Sequence, residues 1–377
     1  MAKDKGKGAR KDGKKSKGKG KAVALEEKSS KAAKVKAAKV KDSKVKPAKV
    51  KPAKVKPAKV KPAKAEEATG IAAETVEVGA APEVYELPLD VDKVDKDLRP
   101  DRPISEVLRV GAGFTLADFD ASSTPGFDGS PKDGEKALAA YAPEIGEWQE
   151  RLFAETKGGG TRSLLIVLQG LDSAGKGGIV RHVMSNADPA GIKATAFKAP
   201  TEEERQHEFL WRIRKALPGP GQIGVFDRSH YEDVLIVRAL NLAPRTVVGR
   251  RYATINAFER GLVAGGTQVL KVFLYIDKDE QRARLMERLD RPDKHYKYTP
   301  GDTDNRAHWD AYLEAFQVMF DRTSTEVAPW YIIPANNKWY ARYAVQQLLL
   351  EKLRAMDPDW PKPDYDVEAE KARLAVS

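Results

Sequence analysis

The sequence contains no cysteine among its 377 residues, which excludes disulfides, a thiolate zinc site and a cysteine nucleophile. It also lacks any apolar run that approaches the roughly 20 residues a membrane-spanning helix needs. Basic residues open the chain, but no apolar segment follows them, so the sequence predicts no secretory signal. We therefore expect a soluble cytoplasmic protein with no membrane partner.

Aromatic residues are absent from residues 1–64, which hold 25 Lys or Arg against five Asp or Glu. From Lys44 the five-residue unit KVKPA repeats through Ala63. Such a segment cannot bury enough apolar surface to offset its chain entropy, so we expect a disordered basic tail. Its composition resembles the lysine-rich tails of linker histones. It predicts either a polyanion-binding segment, for nucleic acid or polyphosphate, or a solubilising tail with no defined partner.

The rest of the chain carries 41 basic and 50 acidic residues, a net charge of −9. A polyanion site there must be a local concentration of charge. Residues 65–105 are acidic and rich in small residues, which predicts a linker. We assign residues 106–366 to one folded domain and 367–377 to a C-terminal tail.

A glycine-rich stretch, GLDSAGKGG, covers residues 170–178 between an apolar strand at 164–168 and a helix that begins at Ile179. Strand, glycine-rich turn, Lys and helix is the context of a phosphate-binding loop, although a glycine-rich turn with no ligand is the alternative. Lys176 adds a full positive charge. The residues expected to line the phosphate are Gly170, Ala174, Gly175, Gly177 and Gly178.

Gly177 stands where such a loop usually has a Ser or Thr that binds Mg²⁺, so the metal must be held elsewhere. Asp172 lies inside the loop, where a bare carboxylate would repel phosphate unless it binds Mg²⁺ or a cationic side chain. A second apolar strand ends at Asp227, which predicts a second metal-binding carboxylate, with capping of the next helix as the alternative. Arg228 offers a planar set of donors to phosphate oxygens.

Basic residues cluster between 281 and 302, in a pair of helices at about 279–322 that we interpret as a lid closing over phosphates. For Arg282 a solvent-exposed role is the better interpretation. Lys198, at the end of another strand, could contact an acceptor phosphate. The lid residues that we expect at phosphates are Arg284, Arg288, Arg291 and Lys297, while Lys294 could be functional or solvated.

Strands and helices alternate along the domain, which predicts an α/β fold with a parallel sheet covered on both faces. The aromatic residues of the helix at 306–320, Trp309, Tyr312 and Phe316, are expected to pack the core rather than stack on a base. The five histidines show no metal-ligand spacing, so we expect no zinc, and nothing favours a phosphohistidine intermediate. The predicted strands span 164–168, 194–197, 222–226, 268–276 and 330–333, and the predicted helices include 132–157, 201–217, 232–240, 246–262, 279–289 and 340–356.

Several ordered motifs resemble the second family of polyphosphate kinases: the loop above, FKAPTEEE, HEFLWRIRKALP, DRSHYEDVL, DRPDKHYKYTPGD and RTSTEVAPWYIIPANNKWY. The likeness runs from about Val107 to Asp366 and is greatest to the class that phosphorylates nucleoside monophosphates and diphosphates. It implies a three-layer α/β/α phosphate-loop kinase fold with five parallel strands, similar to thymidylate kinase, with a helical lid. It also implies a homo-oligomer, a dimer or a tetramer.

The resemblance further implies the roles of the site residues. Asp172 and Asp227 would hold Mg²⁺, for which Mn²⁺ could substitute. Lys176, Arg228 and Arg288 would stabilise the transferred phosphoryl group, and Glu232 would lie near the acceptor nucleotide.

The predicted function is reversible transfer of a phosphoryl group from inorganic polyphosphate to AMP or ADP, with other purine nucleotides possible. The alternatives are an ATP-dependent nucleoside monophosphate kinase and a nucleoid-associated protein that binds polyanions through its tail.

Overall fold

A computed structural model describes residues 95–377. The predicted basic tail at 1–64 and residues 65–94 of the predicted linker lie outside the described residues. The strands are β1 (Ser163–Gly170), β2 (Ile192–Ala196), β3 (Ile223–Asp227), β4 (Thr267–Tyr275) and β5 (Trp330–Pro334). The helices are α1 (Ile104–Leu108), α2 (Pro131–Ala154), α3 (Lys176–Val183), α4 (Glu202–Arg205), α5 (Trp211–Ala216), α6 (Glu232–Ala239), α7 (Arg245–Ala264), α8 (Lys278–Asp290), α9 (Pro300–Arg306), α10 (Trp309–Thr323), α11 (Lys338–Met356) and α12 (Val367–Leu374).

The five strands form one parallel sheet in the order β2-β3-β1-β4-β5. β1 is central, and Leu168 on it pairs with Asp227 at the end of β3. The segments that follow these two neighbouring strands therefore meet at one edge of the sheet, where α/β proteins bind ligands.

Two apolar clusters cover the two faces of the sheet. Alternate residues of β1 point to opposite faces, so Ile166 joins the cluster with α2, α3 and α11, whereas Val167 joins the cluster with α6, α7 and α10. β1 reads as a continuous apolar run because both of its faces are buried. The predicted three-layer α/β/α architecture with five parallel strands is confirmed.

The helix predicted over 201–217 is wrong, because the chain forms α4 and α5 with a turn between them. Thr201 caps α4 as its sequence suggests, through a bond from the Glu204 N–H to its hydroxyl. The Glu208 carboxylate, in the turn between the helices, accepts a hydrogen bond from the N–H of Leu210, the residue before α5. A local side-chain bond therefore competes successfully with continuation of the helix.

The segment before the sheet packs on the domain and protects one of its edges. Within α1, the N–H groups of Ile104 and Ser105 donate to the Glu351 carboxylate on α11, so these two residues of the predicted linker pack on the domain. The Val110 N–H then donates to the Trp330 carbonyl of the edge strand β5. In the part of the chain that the structure describes, no helix is both long and apolar enough to span a bilayer.

Candidate active site at the phosphate loop

The predicted phosphate loop connects β1 to α3, and two of its glycines are required by geometry. A Cβ on Gly170 would lie 2.7 Å from the Leu274 carbonyl oxygen, and Gly175 caps α3 with a left-handed φ of +112°. Lys176 begins α3, and its ammonium donates to the carbonyls of Gly170 (2.7 Å) and Leu171 (3.3 Å). Burial lowers the pKa of Lys176, an effect that two nearby carboxylates, Asp227 and Asp172, oppose.

Asp172 and Asp227 flank the same two cations. Asp172 accepts from Arg228 through Oδ1 (2.9 Å) and from Asn305 of α9 through Oδ2 (3.3 Å). The carboxylate of Asp227 accepts no hydrogen bond from any residue between 95 and 377. Both carboxylates act electrostatically on Lys176 and on Arg228. The structure thus brings the two predicted metal ligands together, as the sequence predicts.

This pair fits Mg²⁺, which proteins commonly hold through one or two carboxylates while substrate phosphates and water supply the other ligands. Among the described residues no group of three or more His, Asp or Glu is placed to cage a metal. An ion held by Asp172 and Asp227 would complete its coordination with substrate phosphates and water.

Arg228 occupies a turn between β3 and α6 with a φ of +64°, which is uncommon for a residue with a side chain. Glu232 begins α6 near Arg228. Burial raises the pKa of Glu232, and the charges of Arg228 and Lys176 counteract that rise. In the amide orientation that satisfies its neighbours, Gln169 donates to Glu232 Oε1 at 3.1 Å.

A cluster of buried polar side chains lies next to this turn in the protein core. It was not predicted from the sequence. The Tyr231 hydroxyl donates to Glu259 (2.7 Å), and His230 lies 3.2 Å from the same carboxylate. Lys271 pairs with Glu259 at 2.7 Å, and both side chains are almost fully buried. The available signal was Lys271, a lysine inside the apolar run that makes up most of β4.

One pocket of about 110 Å³ opens between the loop, α6 and the lid; we call it the aromatic pocket. Its charged residues are Asp172, Arg228 and Glu232, and its aromatic residues are Trp309, Tyr312 and Phe316. Burial, together with the charges of Asp172 and Glu232, raises the pKa of Tyr312 to about 12. Trp309 and Phe316 are buried in the core as predicted, but the same three side chains also line the pocket.

A second pocket of about 280 Å³ lies on the other side of the loop; we call it the basic pocket. Ser173, Ala174, Gly175 and Gly178 form its floor. Its cationic lining residues are Arg284, Arg288, Lys294, Lys297, Lys338 and Arg342, and Glu287 is its acidic one. Lys338 and Arg342 come from α11 and were not predicted, although their spacing of four residues would have shown that they share a helix face.

Three predicted phosphate-binding residues lie differently from what was expected. Arg291 lies outside both pockets and pairs with Asp293 (3.0 Å) and Glu287 (3.3 Å) on the lid surface. Gly177 is exposed on α3 and lines neither pocket, so its N–H group is the part of it that can still contact a phosphate. Arg284 borders the basic pocket, but its donors are taken by protein acceptors, as described below.

Lys198 lies in a third pocket of about 280 Å³, which also contains Arg228 and Glu232. Its neighbours there include the apolar side chains of Phe197 and Leu242. This position is compatible with the predicted contact between Lys198 and an acceptor phosphate.

Three features together define a phosphate-loop kinase, an enzyme that transfers phosphoryl groups. They are a glycine loop at the C-terminal edge of a parallel sheet, two carboxylates near the ends of adjacent strands, and a helical lid that carries cations. The family model of polyphosphate kinase 2 (PPK2) matches residues 129–361, so the chain belongs to this family.

Relatives and solved structures agree with this assignment. The chain is 43% identical over 251 residues to an AMP/ADP-polyphosphate phosphotransferase of Meiothermus ruber, covering 67% of this chain and 92% of the relative. It is 35% identical to an ADP-polyphosphate phosphotransferase of Rhodopseudomonas palustris, covering 68% and 91%. The crystal structure of polyphosphate kinase 2 from Arthrobacter aurescens TC1 is 55% identical, with a TM-score of 0.73, and the match covers 74% of this chain and 98% of that one.

Proposed function

We propose that the protein transfers the terminal phosphoryl group of inorganic polyphosphate to AMP or ADP, forming ADP and ATP, in a reversible reaction. The observation that carries this proposal is the meeting of two unlike pockets at one phosphate loop. The basic pocket suits a donor that is all phosphate, and the aromatic pocket suits an acceptor that joins a phosphate to a nucleoside. The names of the relatives, which act on AMP or ADP with polyphosphate, agree with it.

The donor side is argued from charge. Six cationic side chains and one carboxylate line the basic pocket. Residues 95–377 carry 40 basic and 42 acidic side chains and are close to neutral overall, so the positive charge of this pocket is a local concentration. One terminal nitrogen of Arg288 donates to the Lys297 carbonyl (3.0 Å) and lies 3.7 Å from the Asp302 carboxylate, so the other two nitrogens of its guanidinium have no acceptor among the described residues and can donate to phosphate oxygens.

The acceptor side is argued from the combination of rings and charges. The pocket's aromatic lining suits a purine, which revises the expectation that Trp309, Tyr312 and Phe316 only pack the core. Arg228 offers a planar pair of donors to the nucleotide's terminal phosphate. Glu232 faces the same space, where its negative charge disfavours additional phosphate unless a cation is present. We propose that it influences the choice between AMP and ADP, and that other purine nucleotides are accepted less well.

Asp172 and Asp227 would hold Mg²⁺, with Mn²⁺ as a substitute. When bound, the ion neutralises phosphate charge and orients the reacting oxygens. The chain itself contributes the N–H groups at the start of α3, the ammonium of Lys176 and the guanidinium groups of Arg228 and Arg288. These donors stabilise charge that spreads over the transferred group.

The acceptor's terminal phosphate oxygen attacks the terminal phosphorus of the polymer, and the shortened polymer leaves from the opposite side. That oxygen is already ionised, so the reaction needs no strong general base. Catalysis then depends on alignment and charge neutralisation, both of which the loop and the lid provide.

An assay with AMP, polyphosphate and Mg²⁺, free of any nucleoside triphosphate, tests the proposal. We expect ADP to appear first and ATP later. If product forms only after a triphosphate donor is added, the protein is instead an ATP-dependent nucleoside monophosphate kinase. Omitting Mg²⁺ should abolish turnover, and adding Mn²⁺ should restore part of it.

Three further predictions accompany this function. We predict a homo-oligomer, either a dimer or a tetramer, which sedimentation would test. We also predict a cytoplasmic location, which cell fractionation would test. Removing residues 1–64 separates the two partners proposed for the tail. A loss of salt-sensitive DNA binding with normal activity would assign the tail to nucleic acid, whereas a higher polyphosphate requirement would assign it to substrate capture.

A further inference from the structure

The carbonyl groups of the phosphate loop are held by side chains over five consecutive residues, 170–174. Lys176 takes the first two, as described above. Gln281 donates to the carbonyl of Asp172 at 3.2 Å, and Arg284 donates to those of Ser173 and Ala174, both at 3.1 Å. Gln281 and Arg284 are three residues apart on α8, so one face of that helix holds three successive carbonyls of the loop.

Arg284 has no donor left for a phosphate. Its Nε donates to Glu280 (2.6 Å), and its remaining nitrogen donates to the carbonyls of Ala335 (2.5 Å) and Asn336 (3.0 Å). With the two loop carbonyls, all five N–H groups of the guanidinium have acceptors. The side chain is only 5% exposed. It thus bridges the loop to the segment between β5 and α11.

These bonds determine where the loop's own donors point. The C=O and N–H of a trans peptide unit point in opposite directions, so fixing the Ala174 carbonyl on Arg284 turns the N–H of Gly175 away from Arg284. The N–H groups of Gly175, Lys176 and Gly177 have no acceptor among residues 95–377, which leaves them available to an anion. Ser173 has a φ of +66°, a strained value that the bond to its carbonyl helps to maintain.

We propose that Arg284, assisted by Gln281, is a positioning residue that holds the phosphate loop in its anion-binding form and is not itself a phosphate ligand. This rests on the proposed function only for its effect on turnover. It also places the moving part of the lid after Arg284, because the first two turns of α8 are fixed to the loop. Arg288, one turn further on, belongs to the part that can close on a substrate.

The test compares four full-length variants: Arg284→Lys, Arg284→Gln, Arg288→Gln and, as the matched control, Arg282→Gln. Arg282 lies on the same helix, is 66% exposed and pairs with Asp279. The first measurement is hydrogen exchange, without substrate, at the N–H groups of Ala174 and Gly178, which close the loop onto Leu171 and Gly175. We expect about tenfold faster exchange in both Arg284 variants and no change in the other two.

The second measurement is turnover. In both Arg284 variants we expect kcat to fall by about 10- to 100-fold because the loop donors are misaligned. The half-saturating polyphosphate concentration should change less than about threefold, because no contact to phosphate is lost. Lysine should not rescue, since a single ammonium cannot bond four carbonyls in a plane as a guanidinium does.

Two results would overturn the proposal. One is near-normal kcat in Arg284→Lys. The other is a raised polyphosphate requirement with unchanged loop exchange; either would make Arg284 a direct cationic contact. Should the Arg284 variants fail to fold, Gln281→Leu provides the same test at the Asp172 carbonyl, with faster loop exchange expected and unchanged exchange refuting the idea. Inactivity of the wild-type protein with polyphosphate would refute the proposed function and leave the exchange result intact.

Discussion

The aromatic pocket and the basic pocket share one phosphate loop but differ in how their charges are paired. In the aromatic pocket, two carboxylates accompany one guanidinium, and the Asp172–Arg228 bond neutralises part of that charge. In the basic pocket, six cationic side chains and one carboxylate line the space, and three of these cations also pair with carboxylates outside the lining. The pairs are Arg284 with Glu280, Arg288 with Asp302 and Lys294 with Asp293, while Lys338 pairs with Glu287 inside it. The first arrangement favours a ligand that brings a metal ion and a nucleoside, and the second favours a ligand that brings negative charge alone.

The lid contacts both pockets, and its two halves contribute differently. The first half of α8 is bonded to the loop through Gln281 and Arg284. The second half, together with the residues that follow it, presents Arg288, Lys294 and Lys297 to the basic pocket. This difference teaches that basic residues close together in sequence can divide between building the site and binding at it.

The largest effect should come from removing either carboxylate that we assign to Mg²⁺. Asp172→Asn and Asp227→Asn each preserve side-chain size while removing the charge, and we expect kcat to fall by at least about 10³-fold. Asp279→Asn, at an exposed position on α8, is the matched control and should stay within about twofold. Retention of more than about a tenth of the wild-type rate in either active-site variant would remove that residue from the metal site.

Much of the fold and half of the site could be predicted because their signals are local. The apolar run of β1, the glycines and Lys176 lie in one continuous stretch, and Asp227 is the last residue of β3. Parallel pairing then requires the two carboxylates to meet at one edge of the sheet. No contact distant in sequence had to be known for this part of the prediction.

The remainder depended on contacts that sequence spacing does not determine. Arg291 was expected at phosphates together with Arg284 and Arg288, but α8 ends at Asp290 and Arg291 has an extended backbone, so its side chain does not follow the helix face of the other two. Arg284 shows the opposite case. It is four residues from Arg288 and shares its helix face, but its guanidinium donates to carbonyls of the loop and of the segment after β5. Lys338 and Arg342 reach the basic pocket from a helix far along the chain.

An intermediate effect should come from Arg288→Gln, compared with Arg291→Gln three residues later. Arg288 faces the basic pocket, so its loss should reduce kcat/KM for polyphosphate by about 10²-fold, measured at saturating AMP. Arg291 is paired with Asp293 and Glu287 on the surface, and its replacement should change the same quantity less than about twofold. Equal losses in the two variants would mean that the lid rearranges to bring Arg291 to the substrate.

The smallest effect concerns stability and the sign of two pKa shifts on opposite sides of the loop. Burial raises the pKa of Glu232 above its ordinary 4.5, so the folded protein holds this proton to higher pH than the unfolded chain does. Ionisation of Glu232 therefore costs stability, a cost that appears as the pH rises above about 4.5 and persists at neutral pH. Glu232→Gln removes that cost, so its Tm should exceed the wild-type value at pH 7, and the two values should converge near pH 4.

Glu287 in the basic pocket provides the control of opposite sign. The charge of Lys338 lowers the pKa of Glu287, so its ionised form stabilises the fold above pH 4.5, and this stabilisation disappears as the pH falls through the lowered pKa. Glu287→Gln should therefore lower the Tm at pH 7, by a small amount because the side chain is 48% exposed, and match the wild type in acid. Shifts of the same sign in both variants would contradict the contrast between a carboxylate buried in the aromatic pocket and one surrounded by cations in the basic pocket.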